Sequence, residues 1–301
     1  MLKSILKTYL ILFAVYYIGY SFLNWFLTIK TGIVKIDEDY SNFWIPFSLI
    51  FILAYLILRP NINQSNFKTN IKNGLIWGLF PFSIAIPTAF SQPYFKNASF
   101  EVISINTPNE IHSYPNERYF KIRTFYINRN NFILFKERHV SGMRSKSLKV
   151  NNYYIAPIYS NENLQPTDVA CGIKFSTSLN HGLLFRKQEP KKIWEFNIHA
   201  ASEFSFYHFD SITYFSKQID SKDAYNFAKA WKQNKHLASS QTPVVLVPSK
   251  EPFSSLIQRN KILAIYSLII SLTVAIGLLY FFNFKYKSMR LTAGFAPATD
   301  E

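Results

Sequence analysis

The residues able to do chemistry are scattered, and few stand at the spacings chemistry needs. Six histidines are present: His112, His139, His181, His199, His208 and His236. None forms an H-x-x-x-H pair or sits beside a cysteine at zinc-ligand spacing. His199 and His208 lie near Glu195, Glu203 and Asp210 in sequence. That grouping could serve as a metal or acid–base cluster, and a half-buried structural role is the competing reading. Cys171 is the single cysteine, so an intrachain disulfide is excluded. A thiol–imidazole pair with His181 would require the fold to join them; otherwise a lone cysteine in a strand is a small buried hydrophobe. No G-x-S-x-G elbow, P-loop, G-x-G-x-x-G or S-x-x-K context occurs. With nine glycines, phosphate-cradling loops have little to be built from. The expectation is no catalytic residue, no metal site and no cofactor, which leans away from an enzyme.

Charge is the stronger signal. Net charge is +15, and residues 91–259 hold 22 Lys and Arg against 13 Asp and Glu. The densest run is 118–149, with Lys121, Arg123, Arg129, Lys136, Arg138, Arg144, Lys146 and Lys149. These eight are the candidate binding face. Such a face would meet anionic lipid headgroups or an acidic protein partner. The plainer alternative is a solvated sheet surface in a chain rich in Phe, Tyr, Ile, Asn and Lys throughout.

The elements that must position these residues are set by four runs without Asp, Glu, Lys or Arg: 8–28, 43–58, 74–91 and 262–284. A spanning helix needs about 20 apolar residues. The second run is short, but Arg59 can snorkel. The third carries Pro81 and Pro87, which membrane helices tolerate, and a G-x-x-x-G spacing at Gly74 and Gly78, a weak packing signal. The basic N-terminus and long first run predict an uncleaved anchor. Spans are expected at 8–28, 43–58, 74–90 and 260–284. Lys3, Lys7, Arg59, Lys68, Lys72, Lys285, Lys287 and Arg290 then face Lys30, Lys35, Arg259 and Lys261, an excess that predicts both termini in the cytoplasm. Residues 92–259 become an extracytoplasmic domain of the cell (inner) membrane, and 285–301 a cytoplasmic tail. Nucleic acid is a poor partner there. With no carboxylate, Lys, Arg or His inside the four runs, a stand-alone pump or ion-coupled transporter is disfavoured.

The block 92–259 reads as α+β. Residues 119–127 and 131–140 are aromatic and β-branched around Arg129-Asn130, which predicts a β-hairpin. Strands follow at 147–159 and 168–179. Over 189–206 Trp194, Phe196, Ile198 and Ala200 alternate like a strand while Ile193, Phe196, Ala200 and Phe204 fit a helix, and Pro190 near the start favours the helix. Ser221 caps the helix that follows, and strands are expected at 211–218 and 242–248.

The segments "YLILFAVYYIGYSFLNWFL", "NFWIPF", "LRP", "IPTAFSQ", "FYINRNN", "VSG", "YYIAPIY", "CGIKF" and "EPF" occur in that order. The set resembles the N-terminal region that precedes the protease core in some bacterial rhomboid-family membrane proteins. The resemblance implies membrane residence and an accessory role. In that family a core with a Ser–His dyad follows this region; no such core is read in residues 1–301, so no catalytic residue carries over and proteolysis by this chain is not expected. Three function classes remain: a membrane-tethered binding or adaptor module; a hydrolase, either rhomboid-like, with this chain as its accessory region or fragment, or using the extracytoplasmic domain; and a structural subunit of a membrane complex.

Overall fold

The structure, a computed structural model, describes residues 2–34, 36–64, 67, 69–128, 131–141, 147–160, 166–180, 188–219, 221–233 and 243–293. The chain divides into two units, residues 1–99 with 256–301, and residues 100–255.

The first unit is helical. Helix α1 (Leu2–Asn24) runs into a π-helical turn, Trp25–Lys30; a second such turn, Tyr40–Trp44, opens α2 (Ile45–Asn63). The short α3 (Thr69–Gly74) passes through a third π-turn, Leu75–Leu79, into α4 (Phe80–Ala98). Two of the three wide turns immediately precede a helix with proline in its first two positions, Pro46 and Pro81. Proline has no N–H and crowds the carbonyl four residues back. Widening the turn to the i→i+5 pattern relieves that conflict. Apolar stripes at helical spacing make the core: Ile5, Tyr9, Leu12, Phe13 and Tyr16 of α1, Ile50, Ala54, Leu58 and Ile62 of α2, and Phe80, Ile84 and Ala85 of α4. Side-chain bonds set the directions. Trp25 reaches Ser99 and Glu38 reaches Lys96 at one end, and Asn61 reaches Thr8 at the other. Thus α1 and α4 finish at the same end of the bundle and α2 runs against them.

The second unit is an α+β domain on a mixed eight-stranded sheet. Its strands are β1 (Val102–Ile105), β2 (Tyr119–Ile122), β3 (Tyr126–Ile127), β4 (Ile133–Ser141), β5 (Ser147–Tyr159), β6 (Pro166–Asn180), β7 (Tyr214–Lys217) and β8 (Val244–Ser249). The order is β1-β2-β7-β8-β6-β5-β3, with β4 also on β5. Pairs β1–β2 and β6–β8 are parallel and the others antiparallel. Consecutive strands β2 and β3 stand five places apart in this order, yet only residues 123–125 join them. Five strand spacings on a flat sheet would be about 24 Å, whereas that connection reaches at most about 14 Å. The sheet therefore curls until β2 and β3 act as one strand that closes it.

Helices α5 (Glu189–Ser205) and α6 (Lys222–Lys232) take opposite faces. On one face Phe120, Ile122, Tyr154, Ile158, Cys171 and Leu246 pack with Ala200 and Phe204 of α5. On the other Tyr153, Ile155, Ala170 and Val245 pack with Phe227, Ala230 and Trp231 of α6. Ser221 Oγ accepts from Ala224 N at 3.0 Å, capping α6 as its sequence implies.

The expected hairpin of 119–127 with 131–140 does not form. The first segment breaks in two, and β4 pairs with β5 over nine residues, Ile133 opposite Ile155 through Ser141 opposite Ser147. Both β3 and β4 lie end to end along the same side of β5, and neither pairs with the other. Arg129 and Asn130, expected to form that turn, lie outside the described residues.

Helix α7 (Phe253–Ala293) follows the sheet and contributes Ala275 and Leu279 to the helical core. Among the described residues four helical stretches, Leu2–Lys30, Tyr40–Asn63, Thr69–Ala98 and Phe253–Phe284, are long and apolar enough to cross a membrane. The third is longer than the run of 74–90 implies. Ile11, Val15, Ile18, Phe22, Ile52, Leu56, Ile269 and Ile270 stand exposed on these helices. An apolar surface so extensive is rare on water-facing proteins and is what a lipid-facing wall presents.

Candidate functional site

The densest polar assembly in the second unit is built where β4, β5 and β6 meet the first turns of α6. Tyr153 is fully buried on β5. Its hydroxyl donates to Asp223 Oδ1 at 2.8 Å and accepts from Asn226 Nδ2 at 2.9 Å. Glu137 Oε2 accepts from Asn151 Nδ2 at 2.9 Å and Asn226 Nδ2 at 3.2 Å, while Glu137 Oε1 meets Lys222 Nζ at 2.8 Å. Lys174 Nζ closes on Asp223 Oδ1 at 2.7 Å. Burial alone would raise the Glu137 carboxyl, but its bonds to Lys222, Asn151 and Tyr153 outweigh that and hold it below the usual range. Burial drives the Tyr153 hydroxyl upward, so it stays protonated and donates. Two carboxylates meet two ammonium groups. The assembly fastens α6 to the sheet.

That network decides which charges of the run 118–149 remain available. Side chains alternate along β4. Glu137 faces α6, whereas Lys136 and Arg138 face the α5 side, opposite Asn152 and Val150 of β5. Both are exposed, and neither has an ion pair among the described residues. Lys149 lies opposite His139 and on the other face. Lys121 stands between the inward Phe120 and Ile122, so it too points away from the α5 side. Arg123 leaves the sheet on the connection to β3. The five described residues therefore do not share one face, contrary to a single basic surface. Arg129, Arg144 and Lys146 lie outside the described residues, as do Lys35, Lys68, Gly142, His181, His236 and residues 294–301.

A cavity of about 760 Å³ opens where residues 122–128 pass Phe209, Asp210 and Ile212. Ile122, Phe125, Ile127 and Phe209 supply apolar walls, with Arg123, Thr124 and Asp210 between them. The other sequence candidates separate. His199 pairs with Glu203 at 3.6 Å and His112 with Asp168 at 3.5 Å, all half-exposed or more. Among the described residues no group of three or more His, Cys, Asp or Glu could hold a metal. Cys171 is a buried free thiol whose ionisation burial drives upward.

In the helical unit, Gln92 is fully buried, accepts from Asn24 Nδ2 at 2.9 Å and donates to Ser21 Oγ at 3.2 Å and Thr88 O at 2.8 Å. Tyr9 and Ser83 bond at 2.9 Å on the same α1–α4 interface. Sequence reading missed this stripe, although Gln92 and Asn24 are among the few amides in apolar surroundings there. In lipid such pairs fix helix register.

No family model matches the chain, nor does any curated protein or solved structure. The rhomboid resemblance gains no support from these comparisons.

Proposed function

We propose that the protein is a membrane-anchored adaptor. Four helices cross the bilayer, both termini lie in the cytoplasm, and residues 100–255 stand outside as a domain that binds a partner without chemistry of its own. The observation that carries this reading is the closure of the domain's two chain ends. Phe100 at its start and Phe253 near its finish both pack on the ring of Tyr119, at 6.2 and 4.5 Å between centroids. Tyr214 joins them, 5.3 Å from Phe253. A domain grafted between two crossing helices requires such neighbouring ends. The surplus of Lys and Arg around the N-terminus, the α2–α3 turn and the tail supports the orientation. Neutralisation of Glu137 and Asp223 by lysines supports binding over catalysis. Reporter fusions test the arrangement: a fusion after Ser99 should report the extracytoplasmic side and one after Lys287 the cytoplasm. The same side for both would refute it.

A further inference from the structure

We propose that the outer edge of β4 is a strand-addition site for an extended acidic segment of a partner protein; this rests on the adaptor reading and names its partner. Strand β4 spans nine residues and pairs only with β5 among the described residues, leaving its other side unpaired. An unpaired edge is a template for another strand, and proteins commonly guard it with charge. Here the charge is selective. Along the α5-side row run Leu134, Lys136, Arg138 and Val140, while the one carboxylate of the strand, Glu137, points to the other face and is held by Lys222.

The alternation also disfavours a second copy paired antiparallel. In an antiparallel ladder directly opposed side chains share a face. A second β4 could therefore set only Phe132, Leu134, Lys136, Arg138 or Val140 opposite Lys136 and Arg138, none of them acidic. The register centred on Glu137 would oppose Lys136 to Arg138 twice and Glu137 to itself, which is repulsive. A foreign strand with acids two residues apart and apolar residues flanking them meets every position of the row favourably.

The test uses the full chain in nanodiscs of neutral phosphatidylcholine and the blocked peptide Val-Thr-Glu-Thr-Glu-Thr-Val, with binding read by fluorescence anisotropy across a salt series. The peptide should bind, and more weakly as salt rises. Lys136→Gln with Arg138→Gln should weaken binding roughly tenfold. Moving the acids to adjacent positions, which splits them between faces, should weaken it comparably. The same peptide N-methylated at its five internal residues should not bind. Lys136→Glu with Arg138→Glu should reverse the preference toward a peptide with Lys at the acidic positions; both residues are exposed, so folding survives. Equal binding of the N-methylated peptide would overturn strand addition in favour of bare charge attraction. Binding indifferent to the Gln variant, or absent for every peptide, would overturn the site. Neither result alters the fusion reporters that decide the adaptor arrangement.

Discussion

Single positions in the sheet carry large consequences because both of its faces are covered. Gly172 on β6 lies opposite Ile155, under α6. A Cβ there would stand 2.8 Å from Phe227 Cε1 and 2.9 Å from Val245 Cγ1, contacts that force a shift in packed side chains. Gly172→Ala should cost about 1–3 kcal/mol, measured by denaturant unfolding, and Phe227→Leu added to it should recover part of the loss. Glu137 makes a pH-dependent contribution. Its folded-state pKa lies below the unfolded value, so its stabilisation is complete above about pH 4.3 and fades as pH falls through the folded value. The stability difference between wild type and Glu137→Gln should hold level from neutral pH to about 5, then shrink below about 4. A difference that grew on acidification would mean that Glu137 is not held as a carboxylate.

At the scale of elements, α5 is positioned by a polar pin in an apolar seam. Asn152 Nδ2 donates to Asn197 Oδ1 at 2.9 Å, and Asn152 Oδ1 has no partner among the described residues. Val150 packs with Ile193 on one side, and Tyr154 stacks on Phe204 at 4.6 Å on the other. Asn197→Leu alone leaves the Asn152 amide wholly unpaired and should cost about 1–3 kcal/mol, whereas adding Asn152→Leu should return stability to near or above wild type. Thermal melts of the three variants decide this; a double variant as weak as the single would remove the pin. Seams of this kind explain what was legible in sequence. The four uncharged runs read directly as helices, because lipid-length apolarity needs no partner to be seen. The same holds for α6, whose cap and apolar stripe lie within one turn-and-helix segment. By contrast β1, four residues long, has among the described strands only a parallel partner 17 residues away in register, Val102 opposite Tyr119, and no local pattern announces it. The misread hairpin has the same origin. Aromatic and β-branched content marks 119–127 and 131–140 as strand-forming, and β2, β3 and β4 do form there, but partners chosen by curling of the whole sheet are not written in the turn between two segments. The described basic residues of the run fall on both faces of the sheet because net charge counts residues and a strand sorts them by parity.

At the scale of the molecule, the domain behaves as an insertion into a helical chain. Tyr119 holds Phe100 and Phe253 together, and Thr213 N donates to Ser249 O at 2.8 Å beside them. Neighbouring ends allow the intervening chain to be removed, because a short loop costs little closure entropy. The four long helices draw their core from one another, through Tyr9, Ile50, Leu58, Phe80 and Leu279, and none of those residues belongs to the sheet. Replacing residues 100–252 by a short Gly–Ser linker should therefore leave the helices inserted. The tail reporter after Lys287 should read the same compartment as in the full chain, and the variant should accumulate in the membrane fraction. Tyr119→Ala should act in the opposite way, keeping the domain but loosening its ends, seen as faster protease cleavage near residues 100 and 253. If the linker variant is degraded or its tail changes sides, the helices depend on the domain for assembly. The insertion view would then give way to one in which sheet and bundle fold as a single cooperative body.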